Sequence, residues 1–273
     1  MALIRTNLDL SVVRTLTPLR RAPGAVSEYE QPYKYGTTPE QTLTVGGRPR
    51  AVAFQNPGGL AGVWAEENTR DAIFDALKRR ETFATSGPRI APRFFGGWHI
   101  PADICSTPNL AKAGYQHGIP MGGVLASKNK PDARPRFVVA ANADPGTTGA
   151  PGHPLQRIQI IKGWVGSDGS FHQSVIDVAG NANNGATVDP LSCQAEGEGF
   201  ASLCGVWEDA EFNPQHDVTY YARVVENPSC RWSTRMCLSL PEDQRPDGCD
   251  NPRIPKVIQE RAWTAPIWFD SSR

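Results

Sequence analysis

Over the first 60 residues the apolar and polar positions keep neither a helical nor a strand period. The run from Gly24 to Thr42, and Asn56-Pro57-Gly58-Gly59 after it, read as loop. The first clear element is a helix within Ala65–Glu81. It starts at Asn68 or Thr69, either of which can accept a hydrogen bond from the unpaired amides of the first turn, and Asp71 adds negative charge there. Ile73, Phe74, Ala76 and Leu77 form its apolar stripe, and Lys78, Arg79 and Arg80 sit where the helix dipole favours cations. Thr82–Thr85 alternates as a short strand that Ser86-Gly87-Pro88 stops.

From Arg93 onward the pattern turns to β. Strands are predicted at Arg136–Ala141, Arg157–Val165, Phe171–Ala179 and Val218–Glu226, and Gly166-Ser167-Asp168-Gly169 joins the second and third as a hairpin. Arg157, Gln159 and Ile161 alternate with Ile158, Ile160 and Lys162, which predicts one buried and one wetted face. The irregular stretches Pro101–Pro135 and Asn181–Asn213 need packing or crosslinks of their own. The fold class that follows is α+β, mostly β.

The 273 residues suffice for one large domain or two modest ones, and 26 glycines with 24 prolines exclude a helical bundle. Lys+Arg and Asp+Glu both number 28, so no surplus of positive charge points to nucleic acid. No run of about 20 apolar residues is present to span a bilayer. Met1–Gly24 carries Arg5, Arg14, Arg20 and Arg21 against Asp9 and lacks the apolar centre of a secretory signal.

Of the six cysteines, Cys105 stands apart, while Cys193, Cys204, Cys230, Cys237 and Cys249 cluster in polar, loop-like sequence. An even count without C-x-x-C spacing predicts disulfides and an extracytoplasmic setting. Nearness in sequence suggests Cys193 with Cys204, and Cys230 with Cys237 or Cys249.

Candidate chemistry is sparse. His99, His117, His153, His172 and His216 occur in no metal-ligand spacing; His172 falls in a predicted strand and the other four in Gly/Pro-rich loops. Arg89 and Arg93 lie close to Phe94, Phe95 and Trp98, a combination suited to holding a phosphate or sulfate against aromatic walls. Arg231-Trp232 and Arg235 repeat the theme more weakly. Glu66 and Glu67, beside Trp64 at a helix start, fit either a polar pocket mouth or capping.

The runs Gly59–Ile90 (GLAGVWAEENTRDAIFDALKRRETFATSGPRI), Arg93–Trp98 (RFFGGW), Leu155–Trp164 (LQRIQIIKGW), Tyr220–Cys237 (YYARVVENPSCRWSTRMC) and Ile258–Trp268 (IQERAWTAPIW) resemble the domain of unknown function 3604 family, collinearly over Gly24 to Phe269. That family resembles the polymerase-and-histidinol-phosphatase superfamily of distorted barrels. The resemblance implies hydrolysis of an anionic phosphate or sulfate ester by a parent protein using divalent Mn, Zn or Mg. It also implies three parts: an atypical segment 1–24, a barrel remnant over 25–95 holding the last helix and strand, and a β-rich, sandwich-like domain over 96–273.

In that family most metal ligands lie in an upstream segment, whereas Val12–Pro23 here contains neither Asp nor His. The expectation is therefore a C-terminal fragment, inactive alone, with no catalytic or metal-ligating residue and no cofactor of its own. Arg89, Arg93 and Trp98 are expected to touch substrate, and Glu66 and Glu67 to support them. The alternative is a non-catalytic, disulfide-stapled β-rich module binding a carbohydrate or protein partner. A fragment with no role of its own would leave Ile73, Phe74 and Leu77 exposed.

Overall fold

A computed structural model describes residues 59–127, 133–245 and 247–272, together with the backbone of three short strands at 12–13, 42–45 and 48–51. The last two pair as a hairpin between the two runs read as loop, where no strand period was seen, and the segment 1–24 otherwise lies outside the described residues. The main elements are strand β1 (Leu60–Ala65), helix α1 (Arg70–Lys78), β2 (Thr82–Thr85), β3 (Ala91–Gly97), α2 (Leu110–His117), β4 (Val124–Leu125), β5 (Arg136–Asn142) and β6 (Leu155–Val165). They continue with β7 (Phe171–Gly180), β8 (Ser202–Glu208), β9 (Val218–Glu226), α3 (Trp232–Ser239), β10 (Arg261–Thr264) and β11 (Ile267–Phe269).

Two sheets face each other across one core. The larger runs β1–β2–β10–β9–β6–β7, with β11 pairing both β9 and β4, and Val12–Val13 pairing β1. The smaller runs β8–β5–β3 and ends on a short strand at Ile119–Pro120. Phe94, Phe137 and Val139 from the smaller sheet meet Ile158, Ile160, Tyr220 and Val224 from the larger. On the outer side of the smaller sheet, Phe95 and Val138 pack with Ile100, Ile104 and Ala113. The mostly-β expectation holds, and residues on both sides of position 95 share the larger sheet through the β2–β10 pairing.

Thr69 is the N-cap of α1 and its hydroxyl accepts from the Ala72 amide at 3.3 Å. The helix lays Ile73 and Ala76 on Val63 and Ala65 of β1, so only half of the expected stripe is covered: Phe74 is 63% exposed and Leu77 41%. The four predicted strands appear within two residues of their expected ends, and the hairpin turns on Gly169, whose φ of 79° suits a residue without a Cβ. The wetted face predicted for β6 is largely covered, with Gln159 and Ile161 both buried. Gln159 lies between Asp177 (2.7 Å) and Arg223 (2.8 Å), while Ile161 is flanked across the strands by Val175 and Tyr221.

Helices α2 and α3 and strands β3 and β8 were not anticipated. His117 ends α2 and does not lie in a loop.

The disulfides exist, but not in the expected pairs: they are Cys105–Cys204, Cys193–Cys230 and Cys237–Cys249. Nearness along the chain misleads because Cys193 sits in the turn between the paired strands Thr187–Val188 and Ala195–Glu196, whereas Cys204 is already in β8. There Cys204 packs against the outer cluster that contains Ile104, which brings Cys105 to it. Both long irregular stretches are thereby crosslinked. Cys105–Cys204 closes a separation of 99 residues and Cys237–Cys249 one of 12. Since the stabilisation grows with loop length, C105A/C204A is expected to cost about 4 kcal/mol and C237A/C249A measurably less, as read by denaturant unfolding.

Candidate functional site

Three buried polar groupings could carry chemistry, and they differ in how completely their charges are matched. The first gathers Glu81, Arg93, Tyr115 and Trp64. Arg93 lies 3.6 Å from Glu81 Oε1 and 3.5 Å above the Trp64 ring centre, and its Nη1 donates to the Tyr115 hydroxyl at 3.3 Å. The Tyr115 hydroxyl in turn donates to Glu81. Burial pushes the Glu81 carboxyl up, against the pull of Tyr115, Arg93 and Arg79. The indole of Trp64 donates to the Pro92 carbonyl at 2.9 Å, tying the two sheets together. The second grouping is in the core. Lys162 Nζ lies 2.6 Å from Asp209 Oδ2, which also accepts from the Tyr220 hydroxyl at 2.6 Å. Both are matched ion pairs, and their geometry serves to hold strands together.

The third grouping is not matched. Strand β9 turns alternate residues inward, and Val218, Tyr220, Ala222 and Val224 on that face are core. Glu226, the next residue on the same face, is only 1% exposed, and its Oε1 has no hydrogen-bond partner among the described residues. Asn227-Pro228 ends the strand and fixes the position: the Glu226 amide donates to the Glu260 carbonyl at 3.0 Å, and the Gln259 side-chain amide donates to the Glu226 carbonyl at 3.0 Å. Burial, then the carboxylates of Glu260 and Asp144, push the Glu226 carboxyl up to about 8. It is therefore largely protonated at neutral pH, unlike an ordinary glutamate.

Arginines stand by the two neighbouring carboxylates, Arg231 by Glu260 and Arg89 by Asp144. Arg231 forms the N-cap position of α3 and is anchored by its amide to the Lys256 carbonyl at 3.0 Å. Burial lowers its guanidinium, and the charge of Glu260 opposes that shift. Asp144, in the loop after β5, accepts from the Arg89 amide at 2.7 Å and the Gly146 amide at 2.8 Å, with Arg89 Nε at 3.9 Å. In α3, two residues after Arg231, the Ser233 hydroxyl is 2% exposed and lacks a hydrogen-bond partner among the described residues. A neutral carboxyl beside two carboxylates that arginines accompany is an arrangement that can donate a hydrogen bond or a proton.

The residues picked from sequence do not converge on one site. Arg89 reaches the Glu226 grouping through Asp144, and Arg93 belongs to the Glu81 network. Phe94 and Phe95 point to opposite sides of the smaller sheet into two separate cores, so they form no common wall. Trp98 packs edge-on against Phe212 and Phe269, and its indole donates to the Ala126 carbonyl at 2.9 Å. Glu66 and Glu67 are exposed at the start of α1, where Glu67 accepts from the Thr69 hydroxyl at 3.0 Å.

Glu226, Glu260 and Asp144 were missed. The signal for Glu226 was present all the same, an acid continuing the apolar alternation of its strand. Among the described residues no three His, Cys, Asp or Glu come together as a metal site, and no helix is long and apolar enough to cross a membrane.

Two consequences can be measured. R93A strands the buried Glu81 carboxylate and is expected to cost about 3–5 kcal/mol in denaturant unfolding at pH 7, less in acid where Glu81 is neutral. For Glu226, the folded state holds a proton that the unfolded chain releases above about pH 4.5. Its contribution to stability therefore falls as pH rises from there through about 8. E226Q, which cannot ionise, is expected to melt higher than wild type at pH 9, with the difference closing near pH 4.

No curated protein and no solved structure matches this sequence. One family model does, described as "Protein of unknown function (DUF3604)", and it matches residues 27–271, nearly the whole length. The cysteine-bridged double sheet and the acid at the end of β9 thus lie within a single family match, and the chain belongs to the DUF3604 family.

Proposed function

We propose that this chain provides the anion-recognising part of a metal-dependent hydrolase of phosphate or sulfate esters. The observation that carries the proposal is Glu226, a buried carboxyl kept protonated to about pH 8 beside Glu260 and Asp144, of which Glu260 acts on Arg231 and Asp144 pairs with Arg89. In this reading the two arginines hold the ester's anionic oxygens, and the Glu226 hydroxyl donates to one of them or to the departing oxygen. Ser233, with its buried hydroxyl, supplies a further donor.

Divalent ions, which the likeness to barrel hydrolases implies, would supply the attacking hydroxide. The described residues gather no set of ligands for them, so no metal step is assigned to these side chains. The chain is accordingly expected to bind the anion without turning over an ester.

Sulfate is a suitable probe because it does not titrate between pH 5 and 9. Calorimetry at pH 6 should register sulfate binding that weakens at least tenfold by pH 9, as Glu226 ionises and repels the anion. E226Q should bind equally at both pH values, and R231A at neither. Binding by wild type that ignores pH, or no sulfate binding at pH 6, would rule the proposal out. An aryl phosphate given with Mn or Zn should be hydrolysed no faster than in a metal-free control, and rapid turnover would overturn the division of labour.

A further inference from the structure

At the far end of β9 from Glu226, the larger sheet carries a cleft of about 520 Å³, within the range of small-ligand sites. The register builds its shape. Gly163 lies opposite Thr219, and Thr219 opposite Trp268, so these three share one face of the sheet. Val165, two residues beyond Gly163, is on the same face and lies opposite Phe171. A Cβ added at Gly163 would meet only a backbone oxygen, at 3.9 Å, so this position leaves bare backbone as a floor, with Thr219 beside it in the cleft.

Two aromatic rings bound the floor. On one side Phe171 is 87% exposed, an unusual placement for a phenylalanine at the end of a paired strand. On the other is Trp268, held by Arg80, whose guanidinium stands 5.1 Å from the ring centre. Arg80 is itself fixed by donating to the Gly122 carbonyl at 3.0 Å. At the rim, Asp217 accepts from the Ser271 amide at 2.9 Å and hydroxyl at 2.7 Å, and these bonds hold its carboxyl below the usual range.

Flat apolar walls set either side of a bare floor, with a hydroxyl and an ionised carboxylate at hand, match a ring that has apolar C–H faces and an equatorial belt of hydroxyls. We infer that this cleft binds a neutral pyranose oligosaccharide, whose sugar faces stack on Trp268 and Phe171 and whose hydroxyls donate to Asp217. The fixed negative charge of Asp217 selects against sulfated chains, so this site and the proposed anion site recognise opposite chemistry.

The test uses the full chain and follows tryptophan fluorescence during titration with cellohexaose, xylohexaose and chitohexaose, with dextran sulfate as the charged comparison. In R231A, which lacks the proposed anion site, at least one neutral hexasaccharide should bind and dextran sulfate should not. F171A, which removes an exposed ring and so leaves the fold intact, should weaken binding about tenfold. W268A should abolish it, with circular dichroism confirming the fold, and D217N should weaken it severalfold. E226Q should bind the sugar as wild type does, which separates this site from the anion site. Failure of all three neutral probes to bind, or unchanged affinity in F171A and W268A together, would overturn the inference.

Discussion

Strand β9 is hydrogen-bonded to β6, β10 and β11, so both of its edges are occupied, and its inward face closes the main core. A side chain on that face is withdrawn from bulk water and must settle its polarity where it stands. Tyr220 does so through Asp209 and Lys162. Lys162 comes from the adjacent strand, where it likewise continues an apolar stripe, after Ile158 and Ile160. That pair of strands thus buries the Lys162 cation and the Tyr220 hydroxyl, and Asp209, just after β8, partners both. Glu226 occupies the equivalent kind of position without such closure. A buried charge lacking a partner costs several kcal/mol, and a carboxyl escapes that cost by keeping its proton. The raised pKa of Glu226 follows from the topology of the strand it ends.

The crosslinks serve the same constraint at the periphery. Cys193–Cys230 fixes the 181–213 stretch to the chain immediately after Glu226, and Cys237–Cys249 ties α3, whose N-cap is Arg231, to the turn at Asp247–Asp250. Loops rich in glycine and proline bury little apolar area, so covalent bonds replace a core there. Asn184 adds to this by donating to the Asn227 side chain at 2.8 Å and to the Glu198 carbonyl at 2.8 Å, while accepting from Gln156 at 3.2 Å. Positions 226–231 are consequently held from several directions, as a binding site for a small anion requires.

Much of this frame was legible in the sequence because alternation and capping are local properties. Thr69 announces α1, and Val218–Glu226 spells out its own strand. The partners were not legible, because pairing in space follows sheet order. Cys105 finds Cys204 across 99 residues, and Arg93 finds Glu81 and Tyr115 from two other elements. Helix α1 misled for a related reason: β1 meets only Ile73 and Ala76 of its apolar stripe, and Phe74 and Leu77 turn outward. Glu226 was readable in principle. An acid at an inward position of an apolar strand is a stronger pointer to chemistry than arginines beside aromatic rings, which packed cores use routinely.

The two proposed sites occupy opposite ends of the same strand. From Asp217 and Thr219 at one end to Glu226 at the other is about eight residues of extended chain, or roughly 27 Å. That distance exceeds a Debye length at physiological salt, so the carboxylate at the sugar cleft does not weaken anion binding at Glu226. It also exceeds the span of a single sugar ring, so only an extended chain could touch both ends. A hydrolase acting on an ester group carried by a polysaccharide gains from such spacing. The remote sugar contact adds binding energy and places the chain, and the charge that would repel the ester stays far from the group that must hold it. Because β9 is paired along both edges and crosslinked beyond its end, the separation between the two proposed sites is fixed by the sheet.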